Sequence, residues 1–250
     1  MNEEWILETR GLVKQFDEFV AVNGVSLRVA RGSIHTLIGP NGAGKTTVFN
    51  LLTRFLPVTR GEIRLRGEDI TGSRPAEIAR RGMVRSFQVS AVFPALTALE
   101  NVRVALQRGL GTSFHFWRSE RSLAALDARA LELLAAVGLE GQRDTVTVEL
   151  PYGRKRALEL ATTLALEPEV MLLDEPTQGM GHEDVGRVVA LIRKFAEGRT
   201  VLMVEHNLSV VQDLADRVTV LARGQVLAEG TYDEVSRNPA VLEAYIGAPA

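Results

Sequence analysis

The sequence predicts an α/β fold: a mostly parallel sheet with flanking helices, opened by a β-rich segment and interrupted by a helical insertion. Three observations predict it. Ser33–Ile38 is an apolar run that enters a glycine-rich loop, and a helical stretch, Lys45–Phe55, follows. Val170–Asp174 and Thr200–Glu205 are short continuous apolar runs of the buried-strand kind, separated by an amphipathic helix. Between these two α/β parts, residues 89–165 carry mostly helical periodicity.

Taken in order, the first segment offers strands at Trp5–Thr9, Val25–Val29 and Glu62–Leu65, broken by Gly11, Gly24, Gly32, Gly61 and Gly67. In the insertion, Thr97 and Glu100 form a Thr-x-x-Glu capping box, and Leu99, Val102 and Leu106 share one face of the helix behind it. Glu120–Val137 is a longer amphipathic helix, built on Leu123, Leu126, Ala130, Leu133, Leu134 and Val137, with Gly138 as its stop. Asp184–Ala196 is a helix whose Val185, Val188, Val189, Ile192 and Phe195 face the core. Val218–Leu221 and Val226–Ala228 flank Arg223-Gly224 as a hairpin. Thr231 with Glu234 caps a late helix, and Pro239–Ile246 closes the chain. The expected division is a core of residues 1–88 and 166–250 and a helical subdomain of residues 89–165.

Composition narrows the chemistry. The 250 residues are 46% hydrophobic and 24% charged, ample for a sizeable core. With 29 Lys+Arg against 31 Asp+Glu the net charge is −2, too balanced for a nucleic-acid binder. The absence of cysteine excludes disulfides, thiolate metal sites and cysteine nucleophiles. The start, Met-Asn-Glu-Glu-Trp-Ile, does not read as a secretory signal. The apolar runs fall well short of the ~20 residues a bilayer span needs.

Gly39-Pro40-Asn41-Gly42-Ala43-Gly44-Lys45-Thr46 fits G-x-x-x-x-G-K-[ST]. Its glycines let successive backbone N–H groups turn inward on phosphate oxygens, and the helix behind adds its positive end. Lys45 is placed to face the β- and γ-phosphates, and the Thr46 hydroxyl to ligate Mg²⁺. Val170–Glu175 is expected to lie beside that loop, with Asp174 in the Mg²⁺ shell and Glu175 polarising a water in line with the γ-phosphate. His206 follows the next strand. Because ligands gather at the carboxyl ends of parallel strands, the loop, Asp174, Glu175 and His206 are expected to converge.

In this order the residues resemble the ATP-binding subunit of ABC transporters, over essentially the whole chain. The resemblance implies a P-loop NTPase (RecA-like) core with an N-terminal antiparallel β-subdomain and a helical insertion. It implies that Phe16 stacks on adenine and that Gly39–Thr46, with Thr47, is the Walker A loop. Gln88 becomes the Q-loop glutamine, touching metal and the reacting water. Val170–Glu175 is Walker B, Pro176–Gly181 the D-loop and His206 the switch histidine. Leu150-Pro151-Tyr152-Gly153-Arg154 holds the signature position. Gly82–Val102, the segment near Gly111–Arg121, and the ending Asn238–Gly247 are most similar to the LivG type, from branched-chain amino acid uptake systems.

Two positions depart from the family pattern. Pro151 stands where a serine hydroxyl contacts the γ-phosphate across a dimer, and it has no backbone N–H. That leaves Gly153, the helix start and Arg154 to make the contact. Gly181 stands where the D-loop has Asp. The implied partners are transmembrane permease subunits, a second ATPase subunit (a copy or a paralogue) and, indirectly, a solute-binding protein. The implied place is the cytoplasmic face of the cell membrane, bound peripherally. The competing assignments are a lipopolysaccharide-export-type ATPase, a soluble ABC ATPase of repair or translation, and a nucleotide-binding regulator without turnover.

Overall fold

A computed structural model describes residues 4–86, 92–107 and 126–246. Their Cα packing forms two compact units. One comprises the described residues of Met1–Arg85, Glu169–Thr177 and Ile192–Ala250; the other comprises those of Ser86–Pro168 and Gln178–Leu191.

The first unit contains two sheets. Strands β1 (Trp5–Phe16), β2 (Phe19–Ala30), β4 (Arg60–Leu65) and β5 (Glu68–Asp69) form an antiparallel sheet in the order β2-β1-β4-β5. β1 runs well past the expected Thr9. Gly11, at φ 54°, opens a register shift between Thr9 and Leu12, and its N–H is taken by the Ser26 hydroxyl at 3.0 Å. The glycine therefore marks a bulge inside one long strand, not its end.

The second sheet has the order β10-β9-β3-β8-β7-β6. Its strands are β3 (Ile34–Ile38), β6 (Met83–Ser86), β7 (Val170–Asp174), β8 (Thr200–Val204), β9 (Arg217–Ala222) and β10 (Gln225–Gly230). β3 pairs in parallel with both β8 and β9, and β7 with β8. Every residue of β3, β7 and β8 is buried, which explains why they are mostly apolar without alternation; His35, Thr36, Asp174 and Thr200 are their buried polar residues. β9 and β10 form the expected hairpin, with Arg223 and Gly224 at φ 49° and 77°, the geometry of a two-residue hairpin turn.

Helix α1 (Lys45–Leu52) leaves the loop after β3 and buries Val48, Phe49, Leu51 and Leu52. It stops short of the expected Phe55. The Thr53 hydroxyl bonds back to Phe49 O at 2.8 Å, and Arg54 turns left-handed at φ 60°. The short helix α2 (Pro75–Arg80) starts on a proline, and Glu77 accepts the Arg74 N–H at 3.0 Å.

The second unit is helical. Helix α3 (Ala98–Gln107) begins on the Thr97–Glu100 box, with Thr97 N–H to Glu100 Oε2 at 2.7 Å and Glu100 N–H to Thr97 Oγ1 at 3.2 Å. Its buried face is Ala98, Asn101 and Val102; Leu99 and Leu106 are only half-buried. Asn101 is buried because its side chain bonds both ways with the Phe93 backbone and donates to the Thr147 hydroxyl. Helix α4 (Asp127–Ala136) buries Ala130, Leu133 and Leu134 and ends before Gly138 at φ 72°. Residues 120–125 of that expected helix, and the 111–121 segment, lie outside the described residues. Helix α5 (Tyr152–Leu164) follows Pro151, while α6 (His182–Ala196) begins in the second unit and ends in the first.

The chain returns to the first unit through α7 (Leu208–Leu214), α8 (Tyr232–Ser236) and α9 (Pro239–Ile246). α8 and α9 place Val235 and Val241 against Ile38, Val211, Val218 and Val220. No helix among the described residues is long and apolar enough to cross a membrane.

Candidate functional site

Strand register assembles one face of the site. Leu37 pairs with Val204, and Val204 pairs with Asp174, so the carboxyl ends of β3, β8 and β7 lie in one row. The loop Gly39–Gly44 leaves β3, His206 leaves β8, and Asp174 and Glu175 end β7. The strand bearing Asp174 is separated from β3 by β8. The parallel register still brings all three exits to the same edge.

The loop is walled by backbone. A Cβ added at Gly39 would stand 2.1 Å from the Leu221 carbonyl oxygen, and one at Gly44 2.7 Å from that of Ala21. Both positions lie at positive φ, 150° and 98°, so only glycine satisfies the space and the torsion together. The hairpin turn closes the wall: Gly224 N–H donates to Ala43 O at 3.1 Å, and Gly224 O accepts from Asn23 N–H at 2.8 Å. Asn41, Gly42 and Thr46 are exposed, and Pro40 and Thr47 half-buried.

Lys45 is 8% exposed, and its ammonium donates to Gly39 O at 2.6 Å and Pro40 O at 3.0 Å. Burial pulls its pKa below the usual lysine value, while the Glu175 and Asp174 carboxylates oppose that shift. The cation is thus held over the loop, within the field of both carboxylates.

Asp174 presents two different oxygens. Oδ2 receives Arg85 Nη2 at 2.5 Å, and Arg85 Nη1 also donates to Asn50 Oδ1 of α1 at 2.6 Å. Oδ1 is buried with no hydrogen-bond partner among the described residues. A buried carboxylate oxygen without a partner is costly, and it fits the site of a cation bound with phosphate. Glu175 holds a left-handed backbone, φ 47°, and its N–H donates to Val204 O at 2.9 Å. Its Oε2 lies 3.9 Å from Nδ1 of the exposed His206.

Phe16 ends β1 and is 40% exposed, with the Lys14 ammonium 4.7 Å from its ring centroid. The signature residues belong to the second unit. Pro151 is the N-cap of α5, and it caps without a side-chain bond. Its carbonyl accepts the N–H groups of Arg154 and Lys155, each at 3.0 Å. Tyr152 is exposed, and its hydroxyl accepts from Arg156 Nη2 at 3.0 Å. Gly153 faces Asp184 so closely that a Cβ there would meet the carboxylate at 2.7–2.9 Å. The Arg154 guanidinium donates to Gly138 O at 2.7 Å, at the end of α4. Gln88 lies outside the described residues.

Sequence reading missed Arg85 and Glu205. Glu205 is fully buried and binds Thr177, His206 and Asn207. Neither carried a local signal of its own: Arg85 lies inside the short β6, and Glu205 directly follows β8.

Comparison with known proteins fits this geometry. The ABC transporter family pattern matches residues 22–178, and that of the branched-chain amino acid ATP-binding cassette transporter matches residues 225–250. The high-affinity branched-chain amino acid transport ATP-binding protein BraF of Pseudomonas aeruginosa is 41% identical over 252 residues, covering 97% of this chain and 98% of BraF. LivG of Escherichia coli K12, described in the same words, is 38% identical at the same coverage. The ADP conformation of the ATP-binding cassette MJ1267 superposes with a TM-score of 0.86 at 32% identity, over 97% of this chain and 99% of that one. A dimeric post-hydrolysis cassette, MJ0796 bound to ADP and Pi, does so with 0.76 at 25%, over 90% and 98%. By fold, site and sequence the chain belongs to the ABC transporter family, among its branched-chain amino acid transport ATP-binding proteins.

Proposed function

We propose that this chain binds and hydrolyses ATP to power import of branched-chain amino acids, or a related small polar solute, by an ABC transporter. The observation that carries the reading is the shared edge: the register of β3, β8 and β7 collects the loop at Gly39–Thr46, the Asp174–Glu175 pair and His206. The names of BraF and LivG support the cargo class.

Each residue then has a task. The N–H groups of Gly39–Thr47, with Pro40, Asn41 and Ala43 shaping the turn, cradle the phosphates at the start of α1. Lys45 exchanges its loop carbonyls for the β- and γ-phosphates, and Phe16 stacks on the adenine. Thr46, Asp174 and Gln88 would hold Mg²⁺, which supplies positive charge to the phosphate oxygens when bound. Glu175 accepts a proton from the water attacking in line, so the γ-phosphorus gains that oxygen and releases ADP. His206 donates a hydrogen bond to the γ-phosphate and keeps it aligned with that water.

The site is completed by a second copy or a paralogue, whose Pro151–Arg154 segment faces the γ-phosphate; the dimeric MJ0796 cassette supports pairing. Pro151 offers no donor, so Gly153 and the start of α5 make that contact, and Gly181 weakens the D-loop's share. Binding closes the pair and hydrolysis reopens it. The helical subdomain, residues 89–165, passes that motion to transmembrane permeases through the segment near Gln88–Leu106, while residues 1–88 and 166–250 form the catalytic core. This places the chain peripherally on the cytoplasmic face of the inner membrane, with a solute-binding protein acting on the other side.

The test is Glu175→Gln. It should bind ATP like the parent, hydrolyse it about 10²–10⁴-fold more slowly, and accumulate an ATP-bound pair in light scattering. Undiminished hydrolysis would remove Glu175 from the reaction.

A further inference from the structure

β7 and β8 leave the sheet side by side, and one buried carboxylate ties their exits together. Glu205 is 0% exposed. Its Oε1 accepts the Thr177 N–H at 3.1 Å and the Thr177 hydroxyl at 2.6 Å. Its Oε2 accepts the N–H groups of His206 at 3.0 Å and Asn207 at 3.2 Å. An ionised carboxylate offers about four acceptor positions, and here four donors are present. Two come from the exit of β7, two residues beyond Glu175. Two come from the exit of β8, at and just after His206.

The same exits carry strain that something must hold. Glu175 is a non-glycine residue in left-handed backbone, φ 47°, a conformation that L side chains disfavour. Its N–H is anchored to Val204 O at 2.9 Å, the residue before Glu205. One backbone bond and one saturated carboxylate therefore stitch Glu175–Thr177 to Val204–Asn207. Either exit alone would leave the Glu175 and His206 side chains, 3.9 Å apart, free to change their spacing. A buried charge is tolerated only when its hydrogen bonds are complete, so this arrangement is stiff: loss of one donor is felt by all.

We infer that Glu205 is a positioning residue for hydrolysis, clamping Thr177 to the His206 turn so that Glu175 and His206 meet the γ-phosphate and its attacking water in one fixed geometry. This rests on the reading of Glu175 and His206 given above. Glu205 faces neither phosphate nor water in this role. Its removal therefore acts on turnover and leaves nucleotide affinity alone.

Thr177 gives the gentlest test, because Thr177→Val keeps the shape and deletes only the hydroxyl donor. In the full chain, kcat and KM for ATP, the calorimetric ATP affinity and the melting temperature are measured for Thr177→Val, Thr177→Ser, Glu205→Gln and Glu175→Gln. Small misplacements at a reacting centre reduce rate steeply. Thr177→Val should lower kcat about tenfold, with KM and ATP affinity within about twofold of the parent. Thr177→Ser, which restores the donor, should recover most of the rate. Glu205→Gln should be slower still where it folds. The clamp is overturned if Thr177→Val turns over like the parent with only a lower melting temperature. It is equally overturned if serine fails to rescue, or if ATP affinity falls in step with kcat. Glu175→Gln separates the two layers: if it hydrolyses normally, the reading of the site fails. If it is slow while Thr177→Val is normal, only the role of Glu205 fails.

Discussion

Arg85 and Asp174 form a buried ion pair, Nη2 to Oδ2 at 2.5 Å, with side chains 8% and 1% exposed. The guanidinium also lies over the Phe49 ring, 5.6 Å from its centroid, and reaches Asn50 on α1. One cation thus joins the strand leading toward Gln88, the helix behind the phosphate loop and the carboxylate proposed for the metal.

Removing that cation strands a buried carboxylate. Arg85→Ala should destabilise the chain by about 3–5 kcal/mol, the usual result of deleting one member of a buried pair. Mg²⁺ with ATP should return more thermal stability to this variant than to the parent, because bound cation replaces part of the lost charge. Thermal melts with and without Mg·ATP check both statements. An unchanged melting temperature would refute the pairing.

Phe16 should matter to nucleotide and little to folding. Its ring is 40% exposed, and the nearby Lys14 ammonium is also tied to Pro57 O at 3.1 Å. Stacking on a base contributes ~1–3 kcal/mol, so Phe16→Ala should weaken ATP and GTP alike by several-fold or more, at nearly unchanged melting temperature. Calorimetric titration with both nucleotides decides. A large fall in melting temperature with unaltered affinity would make Phe16 a packing residue.

His35 predicts an acid-side loss of stability. It is fully buried in β3, with Nε2 2.8 Å from the Thr219 hydroxyl, and burial pushes its imidazole down to about 4. Unfolding returns it to about 6.5, so between those values the unfolded chain binds the extra proton and stability falls as pH falls. This gap is worth about 3 kcal/mol in full, of which about 2 is gone by pH 5. Urea unfolding at pH 7 and pH 5 should show a steeper loss in the parent than in His35→Gln. Equal slopes would refute it.

Much of this architecture was legible locally. The glycine-rich loop, the buried runs of β3, β7 and β8, the Thr97–Glu100 box and the Arg223-Gly224 hairpin each declare themselves within a few residues. β1 was cut short because Gly11 reads as a break when it is a bulge. α2 escaped notice although Pro75 and Glu77 mark its first turn, and α7 although Asn207 caps it, accepting the Ser209 N–H at 3.2 Å. Arg85 and Glu205 were invisible for a different reason. Their partners lie 89 and 28 residues away, and only strand order brings them into reach. Residue types point to the groups proposed to touch phosphate; they do not point to the buried partners behind them.

The row Leu37–Val204–Asp174 also governs how the chain must be made. β3 emerges first, yet its two neighbours, β8 and β9, begin at Thr200 and Arg217. Until then its five residues, three of them apolar, stand as an unpaired strand, the kind of edge that invites wrong partners. Contacts of such long range form slowly, so a growing chain carries its phosphate loop without the wall of Leu221 and Gly224 for most of its synthesis. Nucleotide capture therefore comes last, and retention on an ATP resin would count only molecules whose final strands have docked.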